Sequence, residues 1–143
     1  MIRNIFCWFC LFLLNIWILK LIGLIFFAET PYQSLGCWKD DIPRVMPTLE
    51  GNGNVSFVLD EHYKRRSNEV QKCYKAALSL GFRVFAVQDG GQCFSSSSAE
   101  STYQKNGPST ACLKDGAGGP MANEVYKMID GEFCANMLFF VQC

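Results

Sequence analysis

The chain has 143 residues, with 13 basic and 13 acidic side chains and 8 cysteines. This length accommodates one domain, and the balanced charge excludes a nucleic-acid binder that acts through bulk positive charge. Arg3 and Lys20 are the only charged residues among the first 28, so the rest of the chain carries 11 basic and 13 acidic groups. The sequence therefore divides into an apolar leader and a mildly acidic domain.

Residues 1–28 have the charge order of a secretory signal peptide, because Arg3 precedes a long apolar run and the first acidic residue is Glu29. Lys20 limits the uninterrupted run to residues 5–19, which is shorter than the roughly 20 residues that span a bilayer. We therefore predict a cleaved signal peptide and a secreted protein. A retained signal anchor is the alternative, because residues 21–28 extend the run to bilayer length if Lys20 snorkels.

Six cysteines follow the leader: Cys37, Cys73, Cys93, Cys112, Cys134 and Cys143. An even number of cysteines in a small secreted chain indicates a disulfide framework, and six cysteines leave 15 pairings open. No two of the six lie within four residues of each other, and His62 is the only histidine. This spacing does not suit a structural zinc site, so we predict neither a metal nor another cofactor.

The elements are predicted in chain order from turn signals and periodicity. Residues 29–35 are polar and suggest a short linker, and the Pro- and Gly-rich stretch from Gly36 to Gly53 suggests extended pieces and turns. Asn54 begins the only N-glycosylation sequon, Asn-Val-Ser, and is a candidate glycan acceptor. The basic run at residues 64–66 suggests a solvated face.

A helix is predicted over about residues 67–80, with Ser67 as its N-cap and Gly81 after its C-terminus. One apolar stripe recurs at helical spacing and comprises Val70, Cys73, Tyr74, Ala77 and Leu78. We expect Cys73 to lie in the middle of the buried face.

Beyond the helix, residues 82–88 predict a core strand, and the turn signal Asp89-Gly90-Gly91 leads into a second strand through residues 92–94. A closing strand is predicted around Val125, Tyr126 and Met128. The predicted fold is a small, loop-rich, disulfide-stapled α+β domain with one main helix packed on a short antiparallel sheet. Residues 130–143 form a C-terminal extension with an apolar run at 137–141.

Several short motifs resemble the WSC family of extracellular cysteine-rich domains. They are GCW at 36–38, KCY at 72–74, FAVQDGGQCFSS at 85–96, STAC at 109–112 and GGPMANEVYKM at 118–128. The similarity covers about residues 35–129, although WSC domains usually carry about eight cysteines and Ala77 and Ser95 stand near where two would be expected. The pattern is closer to a divergent WSC-like module of secreted cnidarian proteins, including coral skeletal organic matrix proteins.

The resemblance implies that Cys37, Cys73, Cys93 and Cys112 pair among themselves, which leaves Cys134 and Cys143 for a separate bridge. It also implies binding to glycans of a cell wall or extracellular matrix. Aromatic faces and planar polar groups suit sugar recognition, and the candidate contact residues are Trp38, Tyr103, Gln88, Asp89 and Asn106. Core packing is the alternative role for Trp38, since it adjoins a structural cysteine.

Catalysis is not expected, because His62 has no evident partner and cysteines in disulfides cannot act as nucleophiles. We predict a non-enzymatic extracellular module whose partners are polysaccharides, glycoproteins or matrix proteins, with membrane contact only if the leader is retained. A small toxin or protease inhibitor and a membrane-anchored glycan sensor are the alternatives. Acidic runs are short, which gives little support to direct control of mineral growth.

Overall fold

The computed structural model describes residues 30–129, which form one four-stranded antiparallel sheet with the strand order β1-β4-β2-β3. A main helix, a single helical turn and a turn of 3₁₀ helix (Tyr63–Arg65) connect the strands. The elements are β1 (Tyr32–Lys39), α1 (Glu69–Ser79), β2 (Val84–Gln88), β3 (Gln92–Ser95), α2 (Ala99–Thr102) and β4 (Ala122–Met128). The predicted α+β class is confirmed.

Helix α1 covers one face of the sheet, as its apolar periodicity predicts. It buries Cys73, Tyr74, Ala76 and Ala77 in a cluster with sheet residues that include Phe85. The opposite face has its own cluster, formed by Met46, Val84, Ala86, Phe94, Ala99 and Val125. Side chains alternate between the faces of a strand, so β2 contributes Phe85 and Val87 to the first cluster and Val84 and Ala86 to the second, and all five of its residues are buried. The sheet is therefore the middle layer of the domain.

The N-terminus of α1 differs from the prediction. Its N-cap residue is Asn68, which has a left-handed backbone (φ 51°) and makes no side-chain capping bond. Ser67 instead donates its backbone N–H and its hydroxyl to the Glu61 carboxylate at 3.2 and 3.5 Å. The Ser67 cap prediction is wrong because a carboxylate from the preceding loop binds this serine.

Strand β1 begins at Tyr32, within the segment that was predicted to be a linker. Tyr32 pairs with Met128 and Ser34 with Tyr126, and the register shifts before Gly36 pairs with Val125. The interpretation of residues 29–35 as a linker is therefore wrong from Tyr32 onward. The reason is that pairing with a strand almost 100 residues away leaves no local sequence signal.

The close of the domain depends on two glycines before β4. Gly118 has a left-handed backbone (φ 68°), and a Cβ there would collide with the carbonyl oxygen of Val87. A Cβ on Gly119 would collide with the carbonyl oxygen of Ala111. Only glycine allows the chain to pass this close to β2 and to the preceding loop. The Gly-Gly motif therefore allows the chain to enter β4 in close contact with β2.

Two disulfides staple the sheet. Cys73–Cys93 joins α1 to β3 and is fully buried, and Cys37–Cys112 joins β1 to the loop before β4 and is half-buried. The four cysteines thus pair among themselves, as the resemblance implies. The proposed bridge between Cys134 and Cys143 lies outside the described residues.

The two bridges should be reduced in a fixed order. A reductant must reach a sulfur atom, and the half-buried Cys37–Cys112 pair offers that access while Cys73–Cys93 does not. Under native conditions with a mild reductant, differential alkylation and peptide mass analysis should find Cys37 and Cys112 labelled before Cys73 and Cys93. Simultaneous labelling of all four, or labelling of Cys73 first, would contradict this prediction.

A buried ion pair fastens the loops on the α1 side. The side chain of Arg66 is fully buried, and its two terminal nitrogens donate to the two carboxylate oxygens of Glu50 at 2.7 and 2.8 Å. The same nitrogens donate to the backbone oxygens of Gly91 and Glu61. The interpretation of residues 64–66 as a solvated face is therefore wrong for Arg66, whereas Lys64 and Arg65 are exposed.

No helix within residues 30–129 is long and apolar enough to cross a membrane.

Candidate functional site

The candidate site occupies one end of the sheet face opposite α1. Trp38 of β1 lies opposite Asn123 of β4, and directly opposed residues of an antiparallel pair share a face. Gln88 at the end of β2 continues this row, since its side-chain nitrogen lies 3.4 Å from the Asn123 side-chain oxygen. We call this region the Trp38 corner and define it by Trp38, Asp40, Arg44, Gln88, Tyr103 and Asn123.

Trp38 and Tyr103 form an aromatic pair at the surface. Their ring centroids are 5.2 Å apart with the planes at 88°, an edge-to-face contact, and both side chains are only partly buried. The indole Nε1 donates to the Leu35 carbonyl oxygen at 3.0 Å. A backbone bridge between Trp38 and Pro108 holds the loop that precedes Cys112 beside β1. Both rings also pack against the second core cluster, so Trp38 contributes to the core and also has a solvent-facing part.

A buried amide anchors the polar half of the corner. Gln88 is 2 % exposed. Its side chain accepts from Arg44 at 3.0 Å and donates to the Asp40 carboxylate at 3.0 Å. A side chain this buried has no surface to offer a ligand, so the prediction that Gln88 contacts a glycan directly does not fit the structure. Gln88 instead holds the charged pair in place.

Arg44 and Asp40 form an ion pair that is buried at one end and open at the other. The Asp40 side chain is 1 % exposed, whereas that of Arg44 is 35 % exposed, and the guanidinium lies 5.0 Å from the centre of the Phe94 ring. Within residues 30–129, the second carboxylate oxygen of Asp40 is buried without a hydrogen-bond partner. A fixed guanidinium with a half-open face can donate to the hydroxyl or carboxylate oxygens of a bound molecule.

Asp89 is tied to a different segment of the chain. It sits in the turn between β2 and β3, where its carboxylate forms an ion pair with Lys64 at 3.2 Å and accepts from the Tyr63 hydroxyl at 3.4 Å. These partners leave the side chain partly exposed. The structure therefore places Asp89 in a cluster with residues 63–64, apart from the Trp38–Tyr103 pair.

Asn106 borders the corner through its backbone neighbour. The Gly107 carbonyl accepts from the Lys39 backbone N–H at 3.0 Å, which fixes this loop beside the end of β1. The Asn106 side-chain nitrogen is buried and has no hydrogen-bond partner within residues 30–129. The residue lines the loop next to Trp38, but its amide nitrogen does not face solvent.

One cluster has the composition of a metal site. One ligand atom from each of Cys37, Cys112 and Glu124 lies within 4.8 Å of the others. The two sulfurs are joined in a disulfide, however, so neither is the thiolate that a metal requires. Glu124 accepts the Ser34 hydroxyl at 2.6 Å, which accounts for its position.

The sequence analysis found the two aromatic residues but missed Arg44. Asp40 and Arg44 carry opposite charges four residues apart in the loop after β1. An acid and a base that flank a proline, directly after a strand with a structural cysteine, were the available signal. The amide of Gln88 that holds them lies 44 residues from Arg44 in the sequence, so nothing local pointed to it.

Comparison with known families agrees with the fold and with the motifs. The model of the WSC domain matches residues 34–122, more than half of the chain, and includes every residue of the corner except Asn123. The chain therefore belongs to the WSC domain family. WSC domains are extracellular, non-catalytic modules of the carbohydrate-binding type. No curated protein matches the chain.

Proposed function

We propose that this protein is a secreted, non-enzymatic module that binds the glycans of an extracellular polysaccharide or glycoprotein through the Trp38 corner. The observation that carries the proposal is the half-buried Trp38–Tyr103 pair, which shares one end of a sheet face with the half-exposed Arg44 guanidinium. Sugar rings present apolar C–H faces and polar hydroxyl edges, and the corner offers an aromatic surface and a charged donor to match them.

Physical considerations favour binding over catalysis. The Asp40 side chain is 1 % exposed, and one of its oxygens is already engaged by Arg44 and Gln88, so it offers a substrate little access. His62 stacks on Tyr63 with ring centroids 4.7 Å apart, and its Nδ1 accepts the Lys64 backbone N–H at 3.3 Å. The four described cysteines are oxidised and are not available as nucleophiles.

The extracellular matrix is the proposed location. Disulfides persist in oxidising compartments, and the two bridges support a role outside the cytosol. The charge order of residues 1–28 supports export by a cleaved leader. We include matrix glycoproteins among the proposed partners, with a structural role in a skeletal organic matrix as one form of this function.

Replacing Tyr103 with leucine should weaken glycan binding about tenfold, which corresponds to about 1.4 kcal/mol. Leucine preserves apolar packing against the second core cluster but removes the aromatic face that borders Trp38. Binding to an insoluble polysaccharide that retains the native protein would be measured by depletion. Tyr63→Leu is the matched control, since Tyr63 is a partly buried tyrosine beside the hairpin turn, and it should bind as the native protein does. Equal binding by native protein and Tyr103→Leu, both folded, would contradict the proposal.

A further inference from the structure

The sequon at Asn54 lies in a short segment in which only the middle residue of the sequon, Val55, is fully buried. Val55 is fully buried in the cluster beneath α1, while its neighbours Asn54 and Ser56 are exposed. Backbone bonds wind the segment in tight turns: Val55 donates to the Asn52 oxygen at 3.1 Å, and Leu59 donates to the Val55 oxygen at 3.0 Å. The buried valine therefore fixes the Asn54 side chain on the outside of the domain.

The same turns expose an aromatic ring. Phe57 is 73 % exposed, an unusual environment for an aromatic ring. It follows Asn54 by three residues, so the two Cα atoms are at most about 11 Å apart, and both side chains are exposed. The bonds from Val55 to the Asn52 oxygen and from Val58 to the Val55 oxygen form two successive tight turns, with Asn54 in the first and Phe57 in the second. A group attached to Asn54 would thus lie within reach of the Phe57 ring.

We propose that Asn54 is an N-glycosylation site and that the first N-acetylglucosamine of its glycan packs on Phe57. In the transfer reaction, Nδ2 of Asn54 loses a proton and bonds to C1 of the sugar, while the bond from C1 to a lipid pyrophosphate donor breaks and the pyrophosphate leaves as an anion. The apolar C–H face of the sugar then covers the ring that the protein leaves in water.

The glycan and the proposed ligand site are compatible because they belong to opposite sides of the sheet. Val55 packs in the cluster with Cys73 and Phe85, on the α1 side. Trp38 packs against the cluster that contains Ala86 and Phe94, on the other side. A glycan on Asn54 would therefore leave the Trp38 corner open.

Occupancy is tested by producing the full chain in a secreting animal cell line, once with its own leader and once behind a leader known to be cleaved. Native protein and Ser56→Thr, which keeps the sequon, should carry one glycan that peptide N-glycosidase F removes with conversion of Asn54 to aspartate. Asn54→Gln and Ser56→Ala should carry none. Secreted native protein without sugar at Asn54 would overturn the proposal. If only the second leader gives export, the secretion proposal fails while the glycan is still tested.

The contact with Phe57 has its own measurement. Trimming the glycan to one N-acetylglucosamine should preserve the melting temperature, and removing that last sugar should lower it by about 4 °C. In Phe57→Ser the same removal should have no effect, because the ring that the sugar covers is absent. An equal shift in both proteins would overturn the packing of the sugar on Phe57.

Discussion

Replacing Arg66 with methionine should lower the free energy of unfolding by about 3–5 kcal/mol, the usual cost of removing one partner of a buried ion pair. Methionine fills part of the space but donates no hydrogen bond. The Glu50 carboxylate, which also accepts from the Cys93 backbone N–H at 2.9 Å, would lose its buried counter-ion. The backbone oxygens of Gly91 and Glu61 would lose a donor as well. Urea unfolding followed by tryptophan fluorescence measures the change.

Arg65→Met is the matched control for this substitution. Arg65 is exposed and adjoins Arg66 in the chain, and a surface substitution of this kind changes stability by no more than about 0.5 kcal/mol. The two variants have the same composition and net charge, so bulk charge cannot explain a difference between them. Similar losses in both would contradict the account of Arg66 as the buried fastener of the loops.

Removing the Cys37–Cys112 bridge by replacing both cysteines with alanine should cost about 4 kcal/mol, because the bridge closes a loop of 75 residues and the entropy of the unfolded chain rises with loop length. The bridge also ties the loop beside Trp38 to β1. We therefore expect the double variant to lose glycan binding at temperatures where it remains folded.

The measurement combines urea unfolding with binding at low temperature. The denaturant dependence of the unfolding free energy should increase, since an unfolded chain without the bridge exposes more surface. Tyr63→Leu, which leaves the bridge intact, is the reference for binding. A loss below about 1 kcal/mol, a small fraction of the entropic expectation, would contradict the role assigned to this bridge.

Much of the fold could be predicted because its signals are local. Helix α1 follows from an apolar stripe at 3.6-residue spacing, and the β2–β3 hairpin follows from an aromatic and β-branched run with a Gly-Gly turn. Strand β1 could not be predicted before Gly36, because its pairing partner is β4 near the other end of the domain. Arg66 was assigned to a solvated face because it lies in a basic run. Its burial depends on Glu50, which is 16 residues away in the sequence.

In the candidate site, too, the residues that could be predicted differ from those whose position depends on distant partners. Trp38 and Tyr103 were found by residue type, and the structure brings them together. Gln88 was predicted to contact a glycan because its planar amide can hydrogen-bond sugar hydroxyls. Gln88 is buried because it bonds to Asp40 and Arg44. Both residues lie in the loop after β1, more than 40 residues before Gln88 in the sequence. A buried amide cannot be distinguished from an exposed one without the tertiary partners that satisfy it.

The most direct test of the central claim is a binding assay on the protein recovered from culture medium after expression with its own leader. Insoluble chitin, β-glucan, a sulfated glycan resin and calcium carbonate would each be incubated with native protein, with reduced and alkylated protein, and with Tyr103→Leu. We predict retention of the oxidised native protein on at least one polysaccharide, loss of retention after reduction, and about tenfold weaker retention for Tyr103→Leu. Folded native protein that binds none of the polysaccharides would contradict the account.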